Sequence, residues 1–363
     1  MALRSAKSSA LALLVCLTLA LSACGGGGAS SNASTRSTVS STDRTQPPNE
    51  SPSAGGGGSL IITRQSGLVE FDINSHTEKP LVTPDVDGTY LLDPTVSPNG
   101  QSIAYVSQPP PKVMNGEYDS GADLWLAARD GSGAHIVFAH ERPNQLLRFP
   151  QWLDDAHVLG VVQEPAMTGG TTSVDYVLES IDVSSGERTR LFANVLGFTV
   201  SPDRSHIAFA MLSKQAGEAL MSSALDGSNA TTLIGPEQNL APFNSPRYSP
   251  DGSTIAFASA DQTGARSDVQ YVSFGTRDDG RSARPASVDT DGLPEDIWTV
   301  SASGGTARRV ADLKEDLPAV TWGSDGMHLY ALGSTGLSDI NVSNGAVQRI
   351  GEGAFHGQIA SAP

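Results

Sequence analysis

The chain has 363 residues, 38% of them hydrophobic and 6% aromatic, with 39 acidic against 23 basic side chains and a formal charge of −16. This length accommodates one large domain or two ordinary ones, and so acidic a chain is ill suited to nucleic acid or anionic lipid surfaces. Its two cysteines, Cys16 and Cys24, both lie at the extreme N-terminus, so the remaining chain has no disulfide, cysteine–zinc site or cysteine nucleophile.

Residues 1–23 read as a targeting segment. Arg4 and Lys7 precede an apolar run at residues 10–21 that is short for a membrane span. Leu21-Ser22-Ala23-Cys24 resembles the lipobox of bacterial lipoproteins. That resemblance implies cleavage before Cys24 and a lipid on its sulfur, which holds the chain at a membrane without a transmembrane helix. Loss of Arg4 and Lys7 with the leader takes the formal charge from −16 to −18. Gly25 after the lipid site lacks the Asp retention signal, which implies the outer membrane, facing the periplasm, in a two-membrane cell. In a one-membrane cell the place is the outer face of the plasma membrane. Residues 24–59 are expected to be a tether. Glycine runs at 25–28 and 55–58 flank a Ser/Thr/Asn/Pro-rich stretch with too little apolar surface to fold.

From residue 60 the chain repeats itself. Val96-Ser-Pro-Asn-Gly100, Trp152-Leu-Asp-Asp-Ala156, Val200-Ser-Pro-Asp-Arg204, Tyr248-Ser-Pro-Asp-Gly252 and Trp322-Gly-Ser-Asp-Gly326 each set an aromatic or β-branched residue before a tight turn. A period of about 50 residues marks a repeat array. In the unit at Pro246, Thr254-Ile-Ala-Phe-Ala-Ser259 alternates as a strand does. Asp296-Ile-Trp-Thr-Val300 is a third strand, and Ser303-Gly-Gly305 turns into a fourth at Ala307. Four antiparallel strands repeated radially make a β-propeller blade.

The ends set the blade count. Leu60-Ile-Ile-Thr63 aligns with strand two of a blade and Leu68-Val-Glu-Phe-Asp-Ile73 with strand three, and a first strand is wanted at Gln358-Ile-Ala360. The prediction is an all-β, six-bladed propeller of four-stranded antiparallel blades over residues 60–363. Pairing of the N- and C-terminal segments closes the ring, which removes exposed sheet edges.

The Ser-Pro-Asp-Gly turn, the Ile-Ala-Phe/Tyr strand after it and the Asp-Ile/Leu-Trp strand resemble the repeat of TolB-like (WD40-like) propellers. The match is best at Ser249 to Phe257 with Asp296 to Trp298, and at Ser97 to Tyr105 with Asp123 to Trp125. The resemblance implies a periplasmic protein that works by protein contacts. A tether in place of the α/β domain that precedes TolB's propeller, together with the lipid anchor, sets this chain apart from TolB itself.

Blade geometry assigns the faces. Tight turns between strands one and two, and three and four, share one face. The segments at 108–122, 163–174 and 261–295 fall on the other, with the inter-blade links. Loops on a rigid scaffold carry binding, so Tyr118, Arg142, Tyr271, Phe274, Arg277 and Arg281 are the candidate binding residues. Asp289, Asp291 and Glu295, in Asp289-Thr-Asp-Gly-Leu-Pro-Glu295, resemble the opening of a calcium loop, since alternating carboxylates before Gly can surround Ca²⁺ with hard oxygens. The spacing of an EF-hand is incomplete. Asp and Gly are also turn formers, and no other cofactor is expected. No Gly-x-Ser-x-Gly elbow and no His-x-x-x-His pair occurs, so no catalytic residue is assigned. The histidines read as surface or turn residues. Trp152 with Trp322, and Trp125 with Trp298, hold equivalent repeat positions, which favours packing between blades.

The expectation is a monomeric, non-catalytic, lipid-anchored module of the bacterial cell envelope that binds a protein or peptide through its loop-rich face. The alternative is an envelope enzyme, or a small-ligand or glycan binder, that uses the central channel.

Overall fold

The computed structural model describes residues 58–114, 116–168, 171–213, 217–263, 294–353 and 357–362. The expected leader, Cys24 and nearly all of the tether lie outside these residues, as do Tyr271, Phe274, Arg277, Arg281, Asp289 and Asp291.

Each repeat folds as a four-stranded antiparallel sheet. Blade one holds Ser59–Arg64, Gly67–Asp72 and Thr77–Val82, joined along its inner edge by Ala360–Ala362. Blade two holds Tyr90–Val96, Ser102–Gln108, Asp123–Ala128 and His135–Phe138. Blade three holds Leu146–Trp152, His157–Thr168, Thr171–Asp182 and Arg188–Ala193. Blade four holds Val195–Val200, His206–Ser213, Gly217–Ala224 and Thr231–Ile234. Blade five holds Leu240–Tyr248, Thr254–Asp261, Glu295–Ser301 and Arg308–Glu315. Blade six holds Ala319–Trp322, His328–Gly333, Gly336–Asn341 and Val347–Glu352. The first strands neighbour one another around the ring and line the central channel.

The recurring Ser-Pro turn is built from side chains. Ser249 Oγ donates to Asp251 Oδ1 at 2.5 Å and accepts the Thr254 amide at 3.0 Å. Ser201 and Ser97 repeat this with Asp203 and Asn99. The turn ends in the left-handed region at Gly100, Gly252 and Gly326, and at Arg204 (φ 61°) in the repeat without glycine. There the Arg204 guanidinium donates to the Trp152 carbonyl at 2.8 Å, which offsets part of the backbone strain.

The apolar core is a set of six layers, one between each pair of neighbouring blades. Leu60, Phe71, Tyr330 and Leu337 fill the layer between blades six and one, for example, and Ala256, Ile297, Trp322 and Leu329 the layer between five and six. The inner-strand tryptophans belong to these layers, as their repeat positions suggested. Trp152 and Trp322 are 3% and 5% exposed. Each indole donates to the inner strand of the preceding blade, Trp152 to the Thr95 carbonyl and Trp322 to that of Arg247.

Two segments differ from expectation. The segment at 163–174 is a projecting hairpin rather than a loop, because His157–Thr168 and Thr171–Asp182 pair without interruption as far as Thr168 with Thr171. Its Thr and Val residues favour a pleated conformation. The closing strand lies at Ala360–Ala362, where Ser59 pairs with Ala362, and not at 358–360. Gln358 is drawn out of the sheet because its polar groups are bonded inside the channel.

Candidate functional site

The inner strands are irregular at one repeat position. Register shifts interrupt pairing at Leu92/Thr95, Arg148/Gln151 and Asn244/Arg247. Asp93, Phe149 and Ser245, which align across the repeats, hold φ values of 51°, 57° and 50°. Bulges and left-handed non-glycine residues re-aim side chains and recur at functional sites. Here they turn polar groups of several blades into the channel.

Asp93 is completely buried. Its Oδ2 accepts the Arg148 Nε–H at 2.9 Å and the Phe149 amide at 3.2 Å. Its Oδ1 accepts the Gln358 amide at 2.8 Å. One carboxylate therefore ties blade two to blade three and to the closing segment. Gln358 Oε1 accepts from Ser245 Oγ at 2.6 Å and from Arg247 Nη2 at 2.7 Å, and Arg247 Nη1 donates to the Pro246 carbonyl at 2.8 Å. Burial pushes the Arg247 guanidinium down to about 10, against the opposing charge of Asp93.

This polar layer separates two cavities. Toward the tight turns lies a space of about 180 Å³ bounded by Thr95, Gln151, Arg247 and Thr321. Toward the loop-rich face opens a cavity of about 490 Å³, within the range of ligand sites. Phe149, Leu196, Phe198, Phe243 and Leu317 give it apolar walls, with Arg247 on its floor. Glu218 and Asp316 also line it. Burial pushes the Glu218 carboxyl up, against the Phe243 amide that donates to it at 2.7 Å. A wider groove of about 740 Å³ between blades five and six on the turn face is walled mainly by turn residues such as Ser249, Asp251 and Ser324. Its charged lining residues are Asp251, Arg308 and Asp325.

Glu295 stands behind the mouth, 2% exposed, with Oε1 accepting Asn244 Nδ2 at 2.7 Å and Oε2 unpartnered. Burial pushes its carboxyl up to about 8, helped by the charges of Asp316 and Glu218. Among the described residues no three His, Cys, Asp or Glu side chains gather as a metal cluster, and Glu295 is the one member of the expected calcium set within them.

Tyr118 and Arg142 come together on the loop-rich face. Tyr118 is 62% exposed on a small hairpin, Lys112–Met114 with Glu117–Asp119, opposite Val113 at 73%. Asn144 Nδ2 donates to the Tyr118 carbonyl, which fastens this hairpin to the link that carries exposed Arg142. Beneath it His140 is buried rather than a surface residue. Its Nδ1 lies 2.5 Å from Asp123 Oδ1 and its Nε2 3.0 Å from Asp119 Oδ2. Burial opposes the imidazolium, but the two carboxylates outweigh it and hold the ring's pKa above the ordinary value. His328 is likewise buried, with Nδ1 2.7 Å from Asp325 Oδ2. The histidine expectation failed at both because a carboxylate partner replaces the lost water.

Sequence reasoning missed Asp93, Arg148, Arg247 and Gln358. One signal was present. The repeat positions equivalent to Arg247 carry Thr95, Gln151, Thr199 and Thr321, so a lone cation stands where neutral polar residues are the rule.

No protein-family model and no curated protein matches the sequence. Among solved structures, TolB from Acinetobacter baumannii is similar at TM-score 0.55 and 14% identity, over 85% of this chain and 67% of that one. A putative TolB from Agrobacterium tumefaciens is similar at TM-score 0.44 and 15% identity, over 85% and 98%. A prolyl endopeptidase matches at TM-score 0.48 and 10% identity, over 81% of this chain and 40% of that one. At these identities the likeness is one of fold: a TolB-like propeller, in a chain that is not TolB.

Proposed function

We propose that the protein is a non-catalytic binding module of the bacterial cell envelope, anchored by lipid on Cys24, that takes a protein or peptide partner at the loop-rich mouth of its channel. The observation that carries this reading is where apolar surface is left uncovered. Of the nine large apolar residues exposed among the described residues, Val86, Tyr90, Val113, Tyr118, Val174 and Leu317 lie on links or strand ends of the loop-rich face, Leu317 in the lining of the 490 Å³ cavity, while Ile136, Met327 and Val347 lie elsewhere. Exposed apolar residues grouped on one face mark interaction surfaces. The lipobox-like leader supports the address, and no helix among the described residues is long and apolar enough to cross a membrane.

In-cell crosslinking followed by mass spectrometry tests the proposal. One dominant partner is expected with the full chain, lost when Val113 and Tyr118 are both changed to Asp. A partner retained in full by that double variant refutes the assigned face. Radiolabelled palmitate incorporated by the wild type and not by Cys24→Ser tests the anchor.

Glu218 favours a second reading. A half-buried carboxyl with a raised pKa lining a cavity suits a general acid, so the same mouth would then act on a glycan or small molecule. Turnover of an envelope glycan lost in Glu218→Gln would decide for it.

A further inference from the structure

The charges on the channel floor do not balance. Two guanidinium groups, Arg148 and Arg247, meet one carboxylate, Asp93. That carboxylate is already spent, since its two oxygens accept Arg148, the Phe149 amide and the Gln358 amide. The two hydrogen bonds of Arg247 go to neutral oxygens, Gln358 Oε1 and the Pro246 carbonyl. Among the described residues no carboxylate stands within ion-pair distance of it. An uncompensated guanidinium enclosed by protein is costly, and this one faces an open cavity of about 490 Å³. A guanidinium presents a planar fork of donors that matches a carboxylate.

We infer that Arg247 anchors a carboxylate of the ligand, and that this carboxylate is the C-terminus of a peptide entering the channel from the loop-rich face. The inference rests on the reading of that mouth as a peptide site. The mouth selects in three layers. Arg247 takes the terminal carboxylate at the floor. Phe149, Leu196, Phe198 and Phe243 suit an apolar side chain at or next to the terminus. Glu218 and Asp316, which repel an anion, discriminate against acidic residues higher up and favour a basic one. Capture of a chain terminus needs few side-chain contacts and reads the charge that every C-terminus carries.

The test uses the full chain and two mixtures of N-terminally dansylated random hexapeptides without Asp or Glu, one ending in free carboxylates and the other in amides. Binding is followed by dansyl fluorescence. The free acids are expected to bind at least about tenfold more tightly than the amides, the worth of one charge-assisted hydrogen bond. Arg247→Gln is expected to erase that difference, whereas Arg247→Lys retains part of it. The acid-against-amide contrast on the wild type stands as a result even if the Arg247 variants do not fold. Equal binding of acids and amides, or no binding of the hexapeptides and of the small acids alike, overturns the carboxylate anchor. The reading of the loop-rich face as the contact surface falls separately, if the crosslinked partner survives the loss of Val113 and Tyr118. Acetate or glucuronate is the third arm. If either binds through Arg247 while the hexapeptides do not, the carboxylate belongs to a free small acid and the C-terminal assignment is overturned.

Discussion

Asp93→Asn isolates the charge that ties three blades together. Asparagine has the shape of aspartate and tolerates the left-handed backbone at φ 51°, so the change adds no strain. It keeps one acceptor oxygen and places an NH₂ group against donors. With its amide oxygen toward the Gln358 amide, the new nitrogen faces Arg148 Nε and the Phe149 amide, now 2.9 and 3.2 Å from the carboxylate. Removing one partner of a buried pair costs about 3–5 kcal/mol. Arg148 keeps 26% side-chain exposure and recovers some hydration, which lowers the expected loss to roughly 2–4 kcal/mol. Equilibrium urea denaturation reads this as a lower midpoint at unchanged slope. The double variant with Arg148→Met measures the coupling. A loss below about 1 kcal/mol, or a coupling energy near zero, refutes the view that Asp93 joins the blades by charge-assisted hydrogen bonding.

Three further outcomes are expected. Gly131→Ala places a Cβ 1.9 Å from the Leu81 carbonyl oxygen at φ +85°, and a loss of more than about 2 kcal/mol should appear in thermal melts. Glu295→Gln should stabilise the protein at pH 7 and not at pH 4. The wild-type carboxyl, raised from 4.5 to about 8, gives stability that is fully present below pH 4.5 and lost as pH rises toward 8. The ceiling at pH 7 is about 3 kcal/mol, from about 1.4 kcal/mol per pH unit, and urea midpoints at the two pH values measure it. The His140 clamp should hold while the ring is charged. Its raised pKa makes that contribution complete below the ordinary histidine value of 6.5 and lost as pH rises through the folded value. Asp119, lowered by its hydrogen bonds to Asn144, Gly121 and His140 against the effect of burial, contributes above 3.8 and is lost as pH falls through its folded value. Protection of the Gly121 and Asn144 amides against hydrogen exchange, relative to the intrinsic rate at each pH, should therefore be greatest between about pH 4 and 6.5, and protection unchanged up to pH 9 would contradict the clamp.

Much of the architecture is local, and local chemistry is legible. Each Ser-Pro-Asp-Gly turn is closed by its own serine and aspartate, and each strand shows its period in five or six residues. Blade count, strand order and the two faces therefore follow from residues 60–363 alone. The glycines of the second turn read only as turn formers. In the ring, Gly131 and Gly345 press against the Leu81 and Val310 carbonyls of the preceding blade, a constraint between residues about 35–50 positions apart. The channel floor is less legible still. Asp93 and Gln358 lie 265 positions apart, and only ring closure brings them together.

By itself the sequence determined a repeat of four short strands, a ring sealed by its two ends and a loop-rich face, because turns and alternation act over a few residues. The tertiary structure decided that Arg247 faces an open cavity, that Asp93 is already engaged and that His140 is buried between two carboxylates. Charge balance and burial belong to neighbours in space, and in a propeller those neighbours come from different blades.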